Sequence, residues 1–408
     1  MAESPSPHFV KAIHASLSYW QERTNQLDDR AIGKVDAERQ NLYRAVQFGL
    51  VLPQTWQATA IVILQSFDLV ERRGYWQEWL TTVERALNIC PQDERQLRFK
   101  LLIRLGQLQR FTRQLAQAIE THYAAEAVAQ QLGDAQALAE AHFNLSECYW
   151  YSRDYEKADH YGLSALEQFE QLNVDLKWCA ATLNTLGMVA WWRGDLPLAE
   201  QRLSKAVDYW RIIAQPTQLA RVLNNLAGTL RSAKKYELAL QYLDEAGQKL
   251  ASTTSELDKT MVNITRGGLY YDLQQWAKAE AAFRQADSLY LARSGHIFYQ
   301  ALVAQGLGNT LLKQGRLVEA EEYLHQGLAL WRQASDNLML ANTLGTLAET
   351  LAAQGRSVEA IALYDEALTH LAQHPGDAWA RKLHSEFQTQ KRTLTGKEKP
   401  GDRSTNGN

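Results

Sequence analysis

The chain has only three cysteines in 408 residues, Cys90, Cys148 and Cys179. They are odd in number, far apart and form no CxxC pair, which excludes a disulfide framework and a paired-thiolate metal or redox site and predicts a reducing compartment. Long apolar runs are missing too. The longest lies around residues 58–64, too short to cross a bilayer, and the first ten residues hold two prolines and no signal-like apolar stretch. Nor does either sign of charge predominate: the net charge is −3, and the charges alternate along the chain without gathering into a basic stripe. Nucleic acid is therefore disfavoured as a partner, and the expectation is a cytoplasmic protein with no membrane contact. In that compartment the sequons Asn144-Leu145-Ser146 and Asn263-Ile264-Thr265 stay unused.

Catalytic signatures are equally scarce. There is no HExxH, no GxSxG and no EF-hand loop, and neither Gly33-Lys34-Val35 nor Gly396-Lys397-Glu398 completes a P-loop. His370 and His374 have the spacing of two metal ligands on one helical face, yet Pro375 follows and no third ligand is evident. A solvated helix end, where histidine suits the dipole, accounts for them, and Glu321-Glu322 reads as surface beside a helix start. The expectation is a chain without enzymatic activity, cofactor or metal.

What the sequence does contain is a register. Ala118, Ala158, Ala199, Ala239, Ala279, Ala320 and Ala360 follow one another at intervals of 40 or 41 residues, the mark of a solenoid. Twelve residues before each alanine stands a small residue: Gly106, Ser146, Gly187, Ala227, Gly267, Gly308 and Ala348. Seven residues after each stands another: Ala125, Ala165, Ala206, Ala246, Ala286, Gly327 and Ala367.

Turn signals fall in two places per repeat. Inner turns include Arg153-Asp154, Arg193-Gly194-Asp195, Gln314-Gly315-Arg316 and Gln354-Gly355-Arg356; outer ones include Gly133-Asp134, Asn173-Val174-Asp175, Gln215-Pro216, Ser294-Gly295 and Ser335-Asp336-Asn337. Each repeat is thus a hairpin of two helices of four to five turns. Glycine inside a helix costs about 1 kcal/mol relative to alanine, so Gly187, Gly267 and Gly308 imply close approach of helix backbones, with the marker alanines facing them. Leu105, Leu145, Leu186, Leu226, Leu307 and Leu347 precede the small position and fill the seam, Arg266 being the exception. A buried leucine contributes roughly 1.5–3 kcal/mol while ordering each residue costs about 1–2, so a lone hairpin cannot hold itself together and stacking is obligatory.

These features resemble the tetratricopeptide repeat. Asn144-Leu145-Ser146, Tyr149, Ala158 and Ala165 carry the pattern, as do Leu186-Gly187, Ala199, Leu203 and Ala206, in a variety whose helices are longer than those of the 34-residue form. The resemblance implies an all-α, right-handed superhelical solenoid of two-helix repeats. Gly74-Tyr75-Trp76-Gln77-Glu78-Trp79, then Val83 and Ala86, align as a degenerate repeat with Trp79 in place of the alanine. Upstream, residues 7–27 and 36–52 read as two helices. Glu38-Arg39-Gln40-Asn41-Leu42-Tyr43-Arg44-Ala45, with Arg73-Gly74-Tyr75-Trp76 and Trp79-Leu80, resembles the start of the helical-repeat sensor region of STAND-type ATPases and MalT-like regulators, here without a nucleotide-binding module. The expected organisation is a helical cap over 1–54, a degenerate repeat over 55–92, seven repeats over 93–375, a capping helix over 376–394 carrying Trp379, Leu383 and Phe387, and a disordered tail over 395–408.

A helical projection of each first helix separates the leucine seam from a second stripe, at positions 18, 15, 14, 11, 8 and 7 before the marker alanine. In tetratricopeptide arrays that stripe lines the concave groove. It offers Lys100, Arg104 and Arg110; Asn144, Trp150 and Tyr151; Asn184, Met188 and Trp191; Arg221, Asn224, Asn225 and Arg231; and Tyr271. Aromatics supply rigid contact area, asparagines pair with an extended backbone, and arginines engage carboxylates. The large side chains have a second use, packing between adjacent first helices. The resemblance to the chaperone-binding carboxylate clamp fails at Glu140 and Thr185, which disfavours that ligand.

The expected function is an interaction scaffold that holds an extended protein or peptide segment with acidic and apolar residues. The alternative is a MalT-like sensor in which a small ligand or partner regulates a separate ATPase or transcription factor. Neither partner identity nor oligomeric state follows from the sequence.

Overall fold

The computed structural model describes residues 5–27, 29–287, 291 and 296–396. Among the described residues there is no strand, and every described element is helical. The turn expected at Ser294-Gly295 and the tail from residue 397 lie outside the described residues. The chain divides into two compact units, residues 1–259 and 260–408.

The first unit opens with α1 (Pro7–Thr24), α2 (Asp29–Ala37), α3 (Arg39–Gly49), α4 (Trp56–Gln65), α5 (Phe67–Arg73) and α6 (Trp76–Asn88). The single helix expected over 36–52 is instead α3, set off from α2 by a break at Glu38, whose φ of −104° and ψ of 13° leave the helical region. Side chains beside the break hold it. Glu38 pairs with Arg23 at 3.2 Å, Asp36 with Arg73 at 3.1 Å, and Tyr75 donates its hydroxyl to Asp36 at 2.7 Å. Leu17, Trp20, Trp56, Phe67 and Trp79 form one core with Leu101, Leu105 and Leu108 of the next helix.

Four hairpins follow: α7 (Arg95–Phe111) with α8 (Leu115–Leu132), α9 (Ala135–Tyr151) with α10 (Tyr155–Gln171), α11 (Leu176–Trp192) with α12 (Leu196–Ile213), and α13 (Pro216–Ser232) with α14 (Tyr236–Leu250). The next first helix, α15 (Glu256–Asp272), begins in the first unit, and α16 (Trp276–Ala286) is in the second. There too are α17 (Ile297–Lys313) with α18 (Leu317–Ala334), α19 (Asn337–Ala353) with α20 (Ser357–Leu371), and α21 (Ala378–Leu394). The architecture is an all-α repeat solenoid.

All seven marker alanines lie in second helices and have no exposed surface. The seam leucines are buried as well. The glycines opposite them answer mainly to side chains, a correction to the backbone argument. A Cβ on Gly106 would stand 2.4 Å from the His122 ring, on Gly187 2.6 Å from Leu203, on Gly267 2.9 Å from Phe283, and on Gly308 2.6 Å from Leu324. Each intruder stands four residues after its marker alanine. That register position reads His122, Gly162, Leu203, Leu243, Phe283, Leu324 and Tyr364, and wherever the small residue of the hairpin is glycine it carries a side chain that fills the glycine's open space. Gly162 faces Ser146, whose hydroxyl donates to the Ala158 carbonyl at 2.7 Å, and the vacated volume is filled by Leu186 of the following hairpin.

Every inner turn uses one residue in the left-handed region, five positions before the marker. Gly194, Gly315 and Gly355 meet this at little cost, but Arg113, Arg153, Lys234 and Gln274 adopt it as well, with φ of 59–64°. First helices α9, α11, α19 and α21 start on aspartates, Asp134, Asp175, Asp336 and Asp377, whose side chains accept backbone N–H bonds. Second helices are joined by charge. Glu200 pairs with Lys235 at 2.7 Å, Glu280 with Arg316 at 2.9 Å, and Glu321 with Arg356 at 2.7 Å, each acid directly following a marker and each cation preceding the next second helix. Gln314 and Gln354, from the same inner turns, donate to Glu280 and Glu321.

Candidate partner-binding face

Adjacent first helices of the first unit are joined by side-chain rungs along the second stripe. Arg104 Nη1 donates to Gln107 Oε1 at 2.9 Å, Gln107 Nε2 to Asn144 Oδ1 at 2.9 Å, and Asn144 Nδ2 to the Glu140 carbonyl at 2.8 Å. Asn225 Nδ2 donates to Asn184 Oδ1 at 2.8 Å, and Trp191 Nε1 to Ser232 Oγ at 2.9 Å. A buried amide demands a partner, and these amides find one in the neighbouring repeat.

The charged residues are paired as well. Arg110 is buried, 3.0 Å from Glu147, with its guanidinium over the rings of Phe111 and Tyr151 at 4.7 and 5.1 Å. Burial opposes its charge, but Glu147, Tyr151, Cys148 and Glu71, acting in the same direction, together more than offset this and hold it protonated. Arg104 lies over the Phe67 ring at 4.3 Å. Burial raises the Glu140 carboxyl, with Arg104 and Lys100 acting against it. Arg221 forms a fork with Asp258, from Nε at 2.9 Å and Nη2 at 3.3 Å.

The stripe residues differ in what they leave accessible. Asn144, Met188 and Asn224 are buried, and Asn224 Oδ1 has no hydrogen-bond partner. Trp150 packs against Leu145, Tyr149, Ala158 and Val189, its ring 4.4 Å from that of Tyr151. Arg104, Tyr151, Asn184, Trp191, Arg221, Asn225 and Arg231 are half-buried, and Lys100 is exposed. Tyr271 belongs to the second unit, edge-on to Trp276 at 5.2 Å. Sequence reasoning missed Glu71 and Asp258, both of which contact Arg221. The signal for Glu71 was present: it stands eight residues before Trp79, which occupies the marker register.

Elsewhere little chemistry is assembled. Cys148 is fully buried and its thiol is pushed up to about 12 by burial. Among the described residues no group of three or more His, Cys, Asp or Glu is placed to hold a metal ion, and no helix is long and apolar enough to cross a membrane.

A register of helical hairpins with paired amides along the first helices defines a helical-repeat protein. The tetratricopeptide repeat model matches residues 178–246 and 299–373, and the chain is a repeat protein of the tetratricopeptide type. Among solved structures it is similar to the APC/C hetero-tetramer Cut9-Hcn1, with 15% identity, a TM-score of 0.58, and coverage of 93% of this chain and 73% of that one. A Rap protein complexed with competence and sporulation factor gives 13% identity and a TM-score of 0.53, covering 83% of this chain and 99% of that one. A STAND protein with a tetratricopeptide repeat sensor from Pyrococcus horikoshii gives 16% identity and a TM-score of 0.50, covering 86% of this chain and 55% of that one. At these identities the likeness is one of fold. No curated protein matches the sequence at a significant level.

Proposed function

We propose that the chain is a non-enzymatic interaction scaffold, and that the first-helix face of its first unit binds an extended protein segment carrying acidic and apolar residues. The observation that carries this reading is Trp191, half-buried and fixed by its bond to Ser232, on a face that also holds half-buried Arg221 and Arg231. A rigid aromatic with its polar edge already satisfied loses little entropy on gripping an apolar side chain. The paired amides of Asn184 and Asn225 keep hydrogen-bonding capacity beyond their mutual bond, which suits the backbone of an extended peptide. The similar Rap structure holds a bound factor, which supports the same kind of use.

The test is capture of the partner from lysate, followed by titration of the identified segment. Trp191→Ala should weaken binding by about 2 kcal/mol or more, as loss of an anchor does. Arg231→Glu should weaken it most at low salt, where exposed charges are least screened. Unchanged affinity for both, together with loss on Lys249→Glu on the second-helix side, would place the binding face elsewhere. The sensor reading is favoured by the similarity to the STAND protein with a repeat sensor. It requires that the captured partner be an ATPase or transcription factor whose activity changes on binding.

A further inference from the structure

The short helix α5 runs between a break at Ser66 and Gly74, which ends it in the left-handed region at φ 74°. Because Trp79 stands in the marker register, Asp68 and Glu71 fall on the same stripe as Gln107 and Arg110 of the next repeat. Burial raises the Asp68 carboxyl against the pull of Arg72 and Arg104, and Glu71 is one of the charges that hold Arg110 protonated. Glu71 also reaches across the face. Its Oε1 lies 3.6 Å from Nη1 of Arg221, a residue four hairpins further along the register.

The two carboxylates on Arg221 are held differently. Asp258 is 1% exposed, takes both N–H bonds of the fork and accepts a third from the Ser255 hydroxyl, so it fixes the guanidinium plane. Glu71 is 30% exposed, stands beyond hydrogen-bonding distance and is bound by Coulomb attraction alone, which contributes little at a solvated site. Asp258 orients the arginine. Glu71 stands against Nη1.

Resting on the proposed binding face, we infer that Arg221 anchors a carboxylate of an acidic partner peptide, and that Glu71 is the internal competitor for that place. The partner's carboxylate replaces Glu71 at Nη1 while the fork to Asp258 stays intact, and α5 is released from its tie to α13.

The probe is a fluorescein-labelled, capped decapeptide of alternating glutamate and leucine, with a glutamine-for-glutamate counterpart, titrated by anisotropy against the full chain. Glu71→Gln should bind the glutamate peptide roughly threefold more tightly than the parent, the size expected for removing a half-exposed competitor. Arg221→Gln combined with Asp258→Asn should bind it roughly tenfold more weakly, and this pair avoids stranding a buried carboxylate. The glutamine peptide should not distinguish the three proteins. If Glu71→Gln binds the glutamate peptide like the parent while Trp191→Ala weakens it, the competitor assignment is overturned and the binding face stands. If Trp191→Ala is also without effect, or neither the parent nor Glu71→Gln binds the peptide, both readings fall. Should the double variant fail to fold by circular dichroism, Glu71→Gln alone decides.

Discussion

Replacing His122 with leucine should stabilise the chain at neutral pH and remove part of its sensitivity to acid. The imidazole is fully buried in the seam against Gly106, and neither ring nitrogen has a hydrogen-bond partner. Burial, with the nearby Arg110 charge acting in the same direction, pushes its pKa down to about 3. The folded pKa lies below the unfolded value, so the folded state keeps a neutral ring while the unfolded chain takes up a proton. The associated stability is therefore complete above about pH 6.5 and is lost as pH falls from there towards 3. Between pH 7 and pH 5 the loss amounts to about 2 kcal/mol, since only the unfolded form titrates in that interval. At pH 7 leucine removes the cost of the unpartnered nitrogens, roughly 1–3 kcal/mol, and the fit already exists: Leu203 sits against Gly187 in the same register. Repeat arrays open in segments, so the readout is hydrogen exchange of the α7 and α8 amides beside urea unfolding at pH 7 and pH 5. The reasoning is refuted if His122→Leu gains nothing at pH 7, or if it loses as much stability as the parent between pH 7 and pH 5.

Three further outcomes follow from the seams and turns. Lys234→Gly should stabilise by about 1 kcal/mol in urea unfolding, because a non-glycine residue there holds φ 60°; a loss would show that the lysine side chain outweighs the strain. Ala199→Leu and Ala239→Leu should each overpack a fully buried seam and cost roughly 1–3 kcal/mol, and unchanged midpoints would contradict the register. Asp377→Ala removes the acceptor for the Trp379 and Ala380 N–H groups at the start of α21 and should cost about 1 kcal/mol, detectable as faster exchange of that helix.

The hairpins were legible because their information is periodic. Ala118 and its six counterparts are buried wherever the 40-residue register puts them, and the aspartates at outer turns announced first helices directly. The left-handed turn five residues before each marker was half hidden, since Arg113, Arg153, Lys234 and Gln274 fill a place where only Gly194, Gly315 and Gly355 advertise the conformation. Position alone also could not say how a stripe residue is used. Asn184 and Asn225 were read as pairing with an extended backbone, but each lies within reach of the other, a fact of helix spacing that a one-helix projection does not contain. The tie from Glu71 to Arg221 was the hardest to see, because it depends on how four successive hairpins turn relative to α5, and small angles per repeat accumulate without a local mark.

The size matching across the seams also sets what can be exchanged between repeats. Gly106 with His122, Gly187 with Leu203 and Gly308 with Leu324 are matched within one hairpin, so such a hairpin carries its own seam wherever it is inserted. A single helix does not: α20 with Tyr364 moved beside α9 would bring a phenol against Ser146, where the native chain has Gly162. Three places are exceptions: Leu186 of the third hairpin fills the space Gly162 leaves in the second, Phe283 of the fifth also occupies the place a side chain at Gly306 of the sixth would take, and Phe387 of α21 does the same at Gly345. Duplication, deletion or grafting in this array should therefore succeed in steps of one hairpin, except that the second and third, the fifth and sixth, and the seventh and α21 must travel together.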